Sequence, residues 1–250
     1  MENIADFACP PQAVASATVL PLASSRHTKV FVAIVFGLAA MGAVSTAFSS
    51  ASAAPPSASI LLGAYGFMIF AQLMWLRFIQ RAMRQQGHSV HAFFGPAWSL
   101  AQLGADVLYA ALACALVFAI SAGMSVLLPD AQPQLKGLAP TGLAGYALWL
   151  CMAITAGACE EVAFRGYFPR QLGVLAAKPW LAVLGQAALF GIAHSYQGMS
   201  ATLVIMVTGL VLGLLAAWRG NIRACILAHA AVDILAGVLG YYVSRSPAPN

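Results

Sequence analysis

Seven runs of mostly apolar residues follow one another along this chain, at roughly 30–48, 59–78, 98–127, 142–166, 180–196, 200–218 and 222–243. Most approach the ~20 residues a helix needs to cross ~30 Å of hydrocarbon. In lipid the backbone has no water to bond, so each run must satisfy its own amides by coiling into a helix. The fold class that follows is all-α: a polytopic transmembrane helical bundle of about seven spans. Composition agrees, since 61% hydrophobic and 8% charged residues lie outside the range of soluble domains. Breaks rich in Pro, Ser or charge fall at 49–59, 81–96 and 129–140. The third run is too long for one straight span and is expected to enter the membrane after Asp106.

Charge placement orients this ladder. With the N-terminus cytoplasmic, the inner segments hold Arg26, Lys29, Arg77, Arg81, Arg84, Arg165, Arg170, Lys178, Arg219 and Arg223, and the outer ones only Lys136 and Arg245. That bias fits the positive-inside rule, with the C-terminus on the opposite side. A multi-pass protein, with a bacterial inner membrane as its expected home, is the reading. The net charge of +5 is explained by topology; no basic cluster with interleaved aromatics points to nucleic acid. Of the five cysteines, none forms a Cys-x-x-Cys pair, which argues against a disulfide framework or a thiolate metal site. The first apolar run, followed by Ala-Ser-Ala-Ala-Pro-Pro, has an alternative reading as a cleaved signal sequence, although its acidic start suits an anchor better. Residues 1–28 and 244–250 read as disordered, and 29–140 as N-terminal transmembrane helices.

Three polar patches interrupt the apolar second half. Glu160-Glu161-x-x-x-Arg165, Phe190-x-x-x-His194 and His229-x-x-x-Asp233 lie in stretches that otherwise read as lipid-spanning, where ionisable side chains are costly and mark function. Four-residue spacing stacks Glu161 and Arg165 on one helix face as a structural ion pair. Glu160 points about 100° away and remains a freer carboxylate, suited to taking a proton from water. Asp233 can accept a hydrogen bond from one nitrogen of His229 and so aim the other into a cavity. Cys159 is a rival nucleophile, disfavoured because lipid burial suppresses the thiolate and its side chain diverges from that of Glu160. Gly209-x-x-x-Gly213 reads as a close helix contact.

In order and interval, Glu160-Glu161-Val162-Ala163-Phe164-Arg165-Gly166-Tyr167, Phe190-Gly191-Ile192-Ala193-His194 and His229-Ala230-Ala231-Val232-Asp233 resemble the signature of the CAAX-protease and bacteriocin-processing family of intramembrane endopeptidases, which includes the Ras-converting prenyl-protein proteases. The resemblance covers roughly 140–243 and makes 141–243 the expected catalytic core around a polar intramembrane cavity. It implies hydrolysis of membrane-associated, prenylated or hydrophobic peptides. Glu160 and His194 would activate water, while His229 and residue 233 would shape an oxyanion pocket or hold a metal. Family members often carry Asn where this chain has Asp233, and an ionised carboxylate cannot donate to an oxyanion. Two cofactor readings stay open: none, or a divalent ion such as zinc on Glu160, His194, His229 and Asp233.

Two other functions fit the same residues, a non-catalytic scaffold or immunity protein and a transporter using Glu160 and the histidines as a proton relay. One difficulty accompanies the straight ladder. Counted at ~1.5 Å per residue, Glu160 and His229 lie about 8–9 Å from the helix ends at Arg165 and Arg223, whereas His194 lies about 21 Å from Trp180. The topology is testable: a membrane-impermeant thiol reagent should label cysteines introduced near Arg84 and Arg219 only from the cytoplasmic side, and near Lys136 only from the other. Cytoplasmic labelling near Lys136 would overturn the ladder.

Overall fold

The computed structural model describes residues 21–49, 57–127, 140–175 and 178–245, and these are helical throughout apart from turns. The elements are α1 (Ser25–Ser49), α2 (Ala58–Gln85), a 3-10 segment (Val90–Phe94), α3 (Leu100–Leu127), α4 (Gly142–Glu161), a π segment (Val162–Tyr167), α5 (Phe168–Leu175), α6 (Pro179–Ala193), a 3-10 turn (Ser195–Gln197), α7 (Met199–Arg219) and α8 (Arg223–Arg245).

Among the described residues, five helical stretches are long and apolar enough to cross a membrane: Ala58–Gln85, Leu100–Leu127, Gly142–Val174, Met199–Arg219 and Arg223–Gly240. The fifth expected span is different. As α6 it has only 15 residues, about 22 Å of helix, short of a full crossing. The fourth does not stop at 166 but runs on through the π segment to Val174 as a 33-residue stretch. Sequence reading ended it at Arg165 because a charge marks a helix exit. Arg165 is instead buried, its charge met inside the protein by Glu161.

The N-terminal segment is ordered sooner than expected. Leu22 and Ala23 are buried because their backbone amides donate to Gln171 Oε1, at 2.6 and 3.3 Å, and Gln171 Nε2 donates back to the Ala23 carbonyl at 3.0 Å. Residues 1–20, the Ala-Ser-Ala-Ala-Pro-Pro stretch and 246–250 lie outside the described residues.

Small residues set the closest helix contacts. A Cβ on Gly213 would overlap Gln186 and one on Gly209 would crowd Ala187, so the Gly-x-x-x-Gly of α7 seats α6. On α8, Gly237 makes room for the Trp149 ring of α4, and Gly157 of α4 lies against Ala230 of α8. Near the other end of α4, the π segment carries one residue more per hydrogen-bonded turn, a local widening common at functional sites. Here its Gly166 receives the ring of Phe93, whose carbonyl accepts from the Ile222 amide at 3.0 Å. The loop before α3 thereby wedges the start of α8 inward.

Asp106 belongs to this wedge. It is 2% exposed, accepting from Arg219 at 2.8 Å and pairing with Arg223 Nε at 2.6 Å, so it ties α3 to the α7–α8 turn. Arg165, Arg219 and Arg223 are thus committed to carboxylates within the protein and Arg170 to the Gly166 carbonyl and the Phe93 ring, which leaves Arg26, Lys29, Arg77, Arg81, Arg84 and Lys178 exposed. Removing one partner of a buried ion pair costs about 3–5 kcal/mol. Asp106→Ala should accordingly lower the thermal midpoint and the folded yield in detergent, while Arg84→Gln, at an exposed position, leaves both unchanged.

Candidate active site

The packing of α5 against α6 resolves the depth conflict. Glu160 lies 15 residues before Leu175, where α5 ends, and His194 lies 15 residues after Pro179, where α6 begins. Legs of equal length, about 22 Å each, bring the two residues level across an antiparallel hairpin. The start of α8, drawn in by Phe93 and Asp106, brings His229 to the same place. Glu160, His194, His229 and Asp233 therefore converge, as do Glu161 and Arg165 directly behind them.

Glu161 is the fixed point. Fully buried, its Oε1 accepts from Arg165 at 2.8 Å and lies 2.7 Å from His229 Nδ1. An ionised carboxylate only accepts, so His229 Nδ1 donates. The partner that sets this ring is therefore Glu161, not Asp233 as helical spacing suggested. His229 Nε2 is turned toward Glu160 Oε2 at 3.9 Å and Asp233 Oδ2 at 3.6 Å. His194 is set in a parallel way: its Nδ1 lies 2.9 Å from the Phe190 carbonyl, which can only accept. The neutral ring then presents the Nε2 lone pair, and this nitrogen is 3.9 Å from the same Glu160 oxygen.

Phe190 explains its own place in the motif. The Arg165 guanidinium lies 4.2 Å from its ring centroid, and both imidazoles meet the ring edge-on, with centroids 4.9 Å away for His194 and 5.7 Å for His229. One aromatic face and edge thus pack the cation and both histidines. Cys159 is buried and takes no part in this cluster.

Four residues of the site escaped the sequence reading. Gln72 of α2 donates to Glu160 Oε1 at 3.4 Å and accepts from Thr155 at 2.7 Å. Tyr196 stacks on His194 with centroids 6.1 Å apart and backs onto Gly42 of α1. Trp149 donates to the Asp233 carbonyl at 3.0 Å, fixing the α8 backbone beneath its carboxylate. For Gln72 a signal existed, a lone amide in an apolar run; Tyr196 and Trp149 look like interface aromatics until the helices are placed.

The donor set, two imidazoles and two carboxylates, is one that zinc accepts. Tetrahedral ligands on zinc lie about 3.4 Å apart at Zn–N distances near 2.05 Å, whereas Glu160 Oε2 is 3.9 Å from each imidazole nitrogen. No three His, Cys, Asp or Glu side chains among the described residues meet in a metal-holding arrangement. The residues as placed do not fit the ion.

Residues 141–235 match the family model of the type II CAAX prenyl endopeptidases, Rce1-like. Over this segment the chain is similar to the CAAX-protease and bacteriocin-processing family, and the match supports membership of it. Its family-matched segment runs from the start of α4 to just past Asp233 and so contains every residue of the three motifs, while α1, α2 and α3 lie before it. No curated protein and no solved structure matches the chain.

The geometry separates the carboxylate paired with a guanidinium, Glu161, from Glu160, whose Oε2 faces two imidazoles. Arg165→Ala leaves Glu161 buried with its cation gone, at about 3–5 kcal/mol, and should reduce the amount of folded protein. Glu160→Gln should accumulate and unfold like the wild type. Equal accumulation of both variants would mean that Glu161 and Arg165 are not a structural pair.

Proposed function

We propose that this chain is an intramembrane endopeptidase that hydrolyses peptide bonds of membrane-associated substrates, prenylated or otherwise hydrophobic, with water activated by Glu160 and His194. The observation that carries this reading is the placement of Glu160 Oε2, 3.9 Å from the Nε2 of both histidines, while each ring is held through its other nitrogen. Such a distance is too long for a direct hydrogen bond and suits two polar groups that share one water. Glu160 Oε2 and His194 Nε2 are both acceptors, so a water between them donates both hydrogens and turns its lone pairs outward.

A substrate carbonyl carbon placed against those lone pairs is attacked as Glu160 takes a proton. The C–O bond forms, the carbonyl oxygen gains the charge, and the proton held by Glu160 passes to the departing amine nitrogen as the C–N bond breaks. His229 adjoins this charge and gives its Nδ1–H to Glu161; as the imidazolium, the form that the carboxylates of Glu160, Glu161 and Asp233 around it favour, it also carries an Nε2–H that stabilises the oxyanion. Asp233, a carboxylate in this chain, is cast as an acceptor that orients the Nε2 side of His229. No metal takes part in this scheme. The exposed cations Arg26, Lys29, Arg77, Arg81 and Arg84 support an N-terminus inside, and with that orientation the catalytic cluster would be reached from the cytoplasmic side.

Purified protein in proteoliposomes, given lipidated and unlipidated hydrophobic peptides, tests the reading. Wild type should cleave and Glu160→Gln should lose at least a hundredfold in rate, on the scale of general-base catalysis. A chelator should leave the rate unchanged, whereas chelator-sensitive activity restored by zinc would require a metal after all. Asp233→Asn should lower the rate at neutral pH by weakening the acceptor. Cleavage by Glu160→Gln at the wild-type rate would overturn the mechanism, and substrate-dependent proton flux without cleavage would favour a transporter.

A further inference from the structure

The geometry points to Gln72 as a positioning residue for Glu160, supplied by α2 from outside the family-matched segment. This inference rests on the peptidase reading above. Gln72 is 6% exposed within an apolar helix, where an unbonded amide is costly and an aliphatic side chain would pack at least as well. Its amide is bonded at both ends to α4: Nε2 donates to Glu160 Oε1 at 3.4 Å, and Oε1 accepts from the Thr155 hydroxyl at 2.7 Å.

The two bonds fix which way round the amide sits. A carboxylate only accepts, so the NH2 group must face Glu160, and the carbonyl is left toward Thr155, whose one hydroxyl hydrogen has Gln72 Oε1 as its nearest acceptor at 2.7 Å, ahead of the Cys151 and Met152 carbonyls at 3.0 Å. The reverse orientation would set the amide oxygen against a carboxylate oxygen. Thr155 is therefore the residue that makes the productive orientation the bonded one.

For Glu160 the consequence is a division of labour between its oxygens. Oε1 is held by Gln72, and Oε2 faces His194 and His229 at 3.9 Å. Without a donor on Oε1, the carboxylate can rotate about its last torsion, which is broad and weakly restrained for Glu. The plane that aims Oε2 between the two histidines is then lost. Errors of about 1 Å in such placement cost up to a hundredfold in rate. Gln72 touches neither water nor substrate in this scheme and acts only through Glu160.

The test compares wild type, Gln72→Met, Thr155→Val and the double variant in proteoliposomes with a lipidated peptide, measuring kcat, KM and thermal unfolding. Gln72→Met keeps length and apolar bulk while removing both hydrogen bonds. It should lower kcat by about tenfold to a hundredfold with KM and unfolding close to wild type. Thr155→Val should give a smaller loss in the same direction, and the double variant should be no slower than Gln72→Met, because the hydroxyl works through the amide. Wild-type kcat in Gln72→Met, or losses that multiply in the double variant, would overturn the assignment. If Gln72→Met does not fold, Thr155→Val decides alone, and an unaltered kcat there counts against the proposal. A wild-type protein that cleaves no peptide fails the peptidase reading itself, and Gln72 then has no reaction to position.

Discussion

A single buried oxygen, Glu161 Oε1, joins the parts of this molecule that matter for its chemistry. It receives Arg165 from the π segment and His229 from α8, while Phe190 of α6 packs against both of those partners. Against a well-packed apolar substitute, such an ion pair adds little net stability. Its effect is on specificity. Any alternative register of α4 against α8 leaves the buried His229 Nδ1 without its Glu161 acceptor, so the sliding that small residues such as Gly157, Ala230 and Gly237 would otherwise permit is penalised.

Around that point the helices are arranged by length and by wedges. The α5–α6 hairpin has equal legs, which sets His194 beside Glu160 even though α6 is too short to cross a membrane alone. On the other side, Phe93 fits against Gly166 and Asp106 gathers Arg219 and Arg223, so α8 begins deep enough to offer His229 at the same level. The result is two imidazoles, each with one nitrogen committed to a fixed acceptor and the other turned toward Glu160. Neither ring is free to rotate away without losing a hydrogen bond in a medium where lost bonds are expensive.

Much of this was legible before any coordinates. Apolar runs established an all-helical membrane protein, and the three polar patches named the six side chains that prove to meet. Four-residue spacing correctly paired Glu161 with Arg165, because that contact lies within one continuous helical stretch. The same spacing misled at His229 and Asp233: a helix periodicity says which side chains can meet, but a competing partner on another helix, here Glu161, decides which bond forms. Arg165 misled in another way, since a cation that ends a hydropathic run can as well be neutralised inside the protein as exposed at its surface.

What the sequence determined by itself was therefore the solvent, the secondary structure and the identity of the polar side chains that meet, all of which depend on composition and local period. Thr155, Trp149 and Tyr196 were invisible as site residues because nothing within their own segments distinguishes them from ordinary packing or interface positions, and the lone amide of Gln72 in its apolar run does not say which partner it bonds. Only the tertiary structure decided which oxygen of Glu160 faces the histidines, which carboxylate holds His229, and how a 15-residue helix delivers His194 to Glu160. These are outcomes of contact between helices distant in sequence, set by glycine clearances and buried charges that no single segment contains.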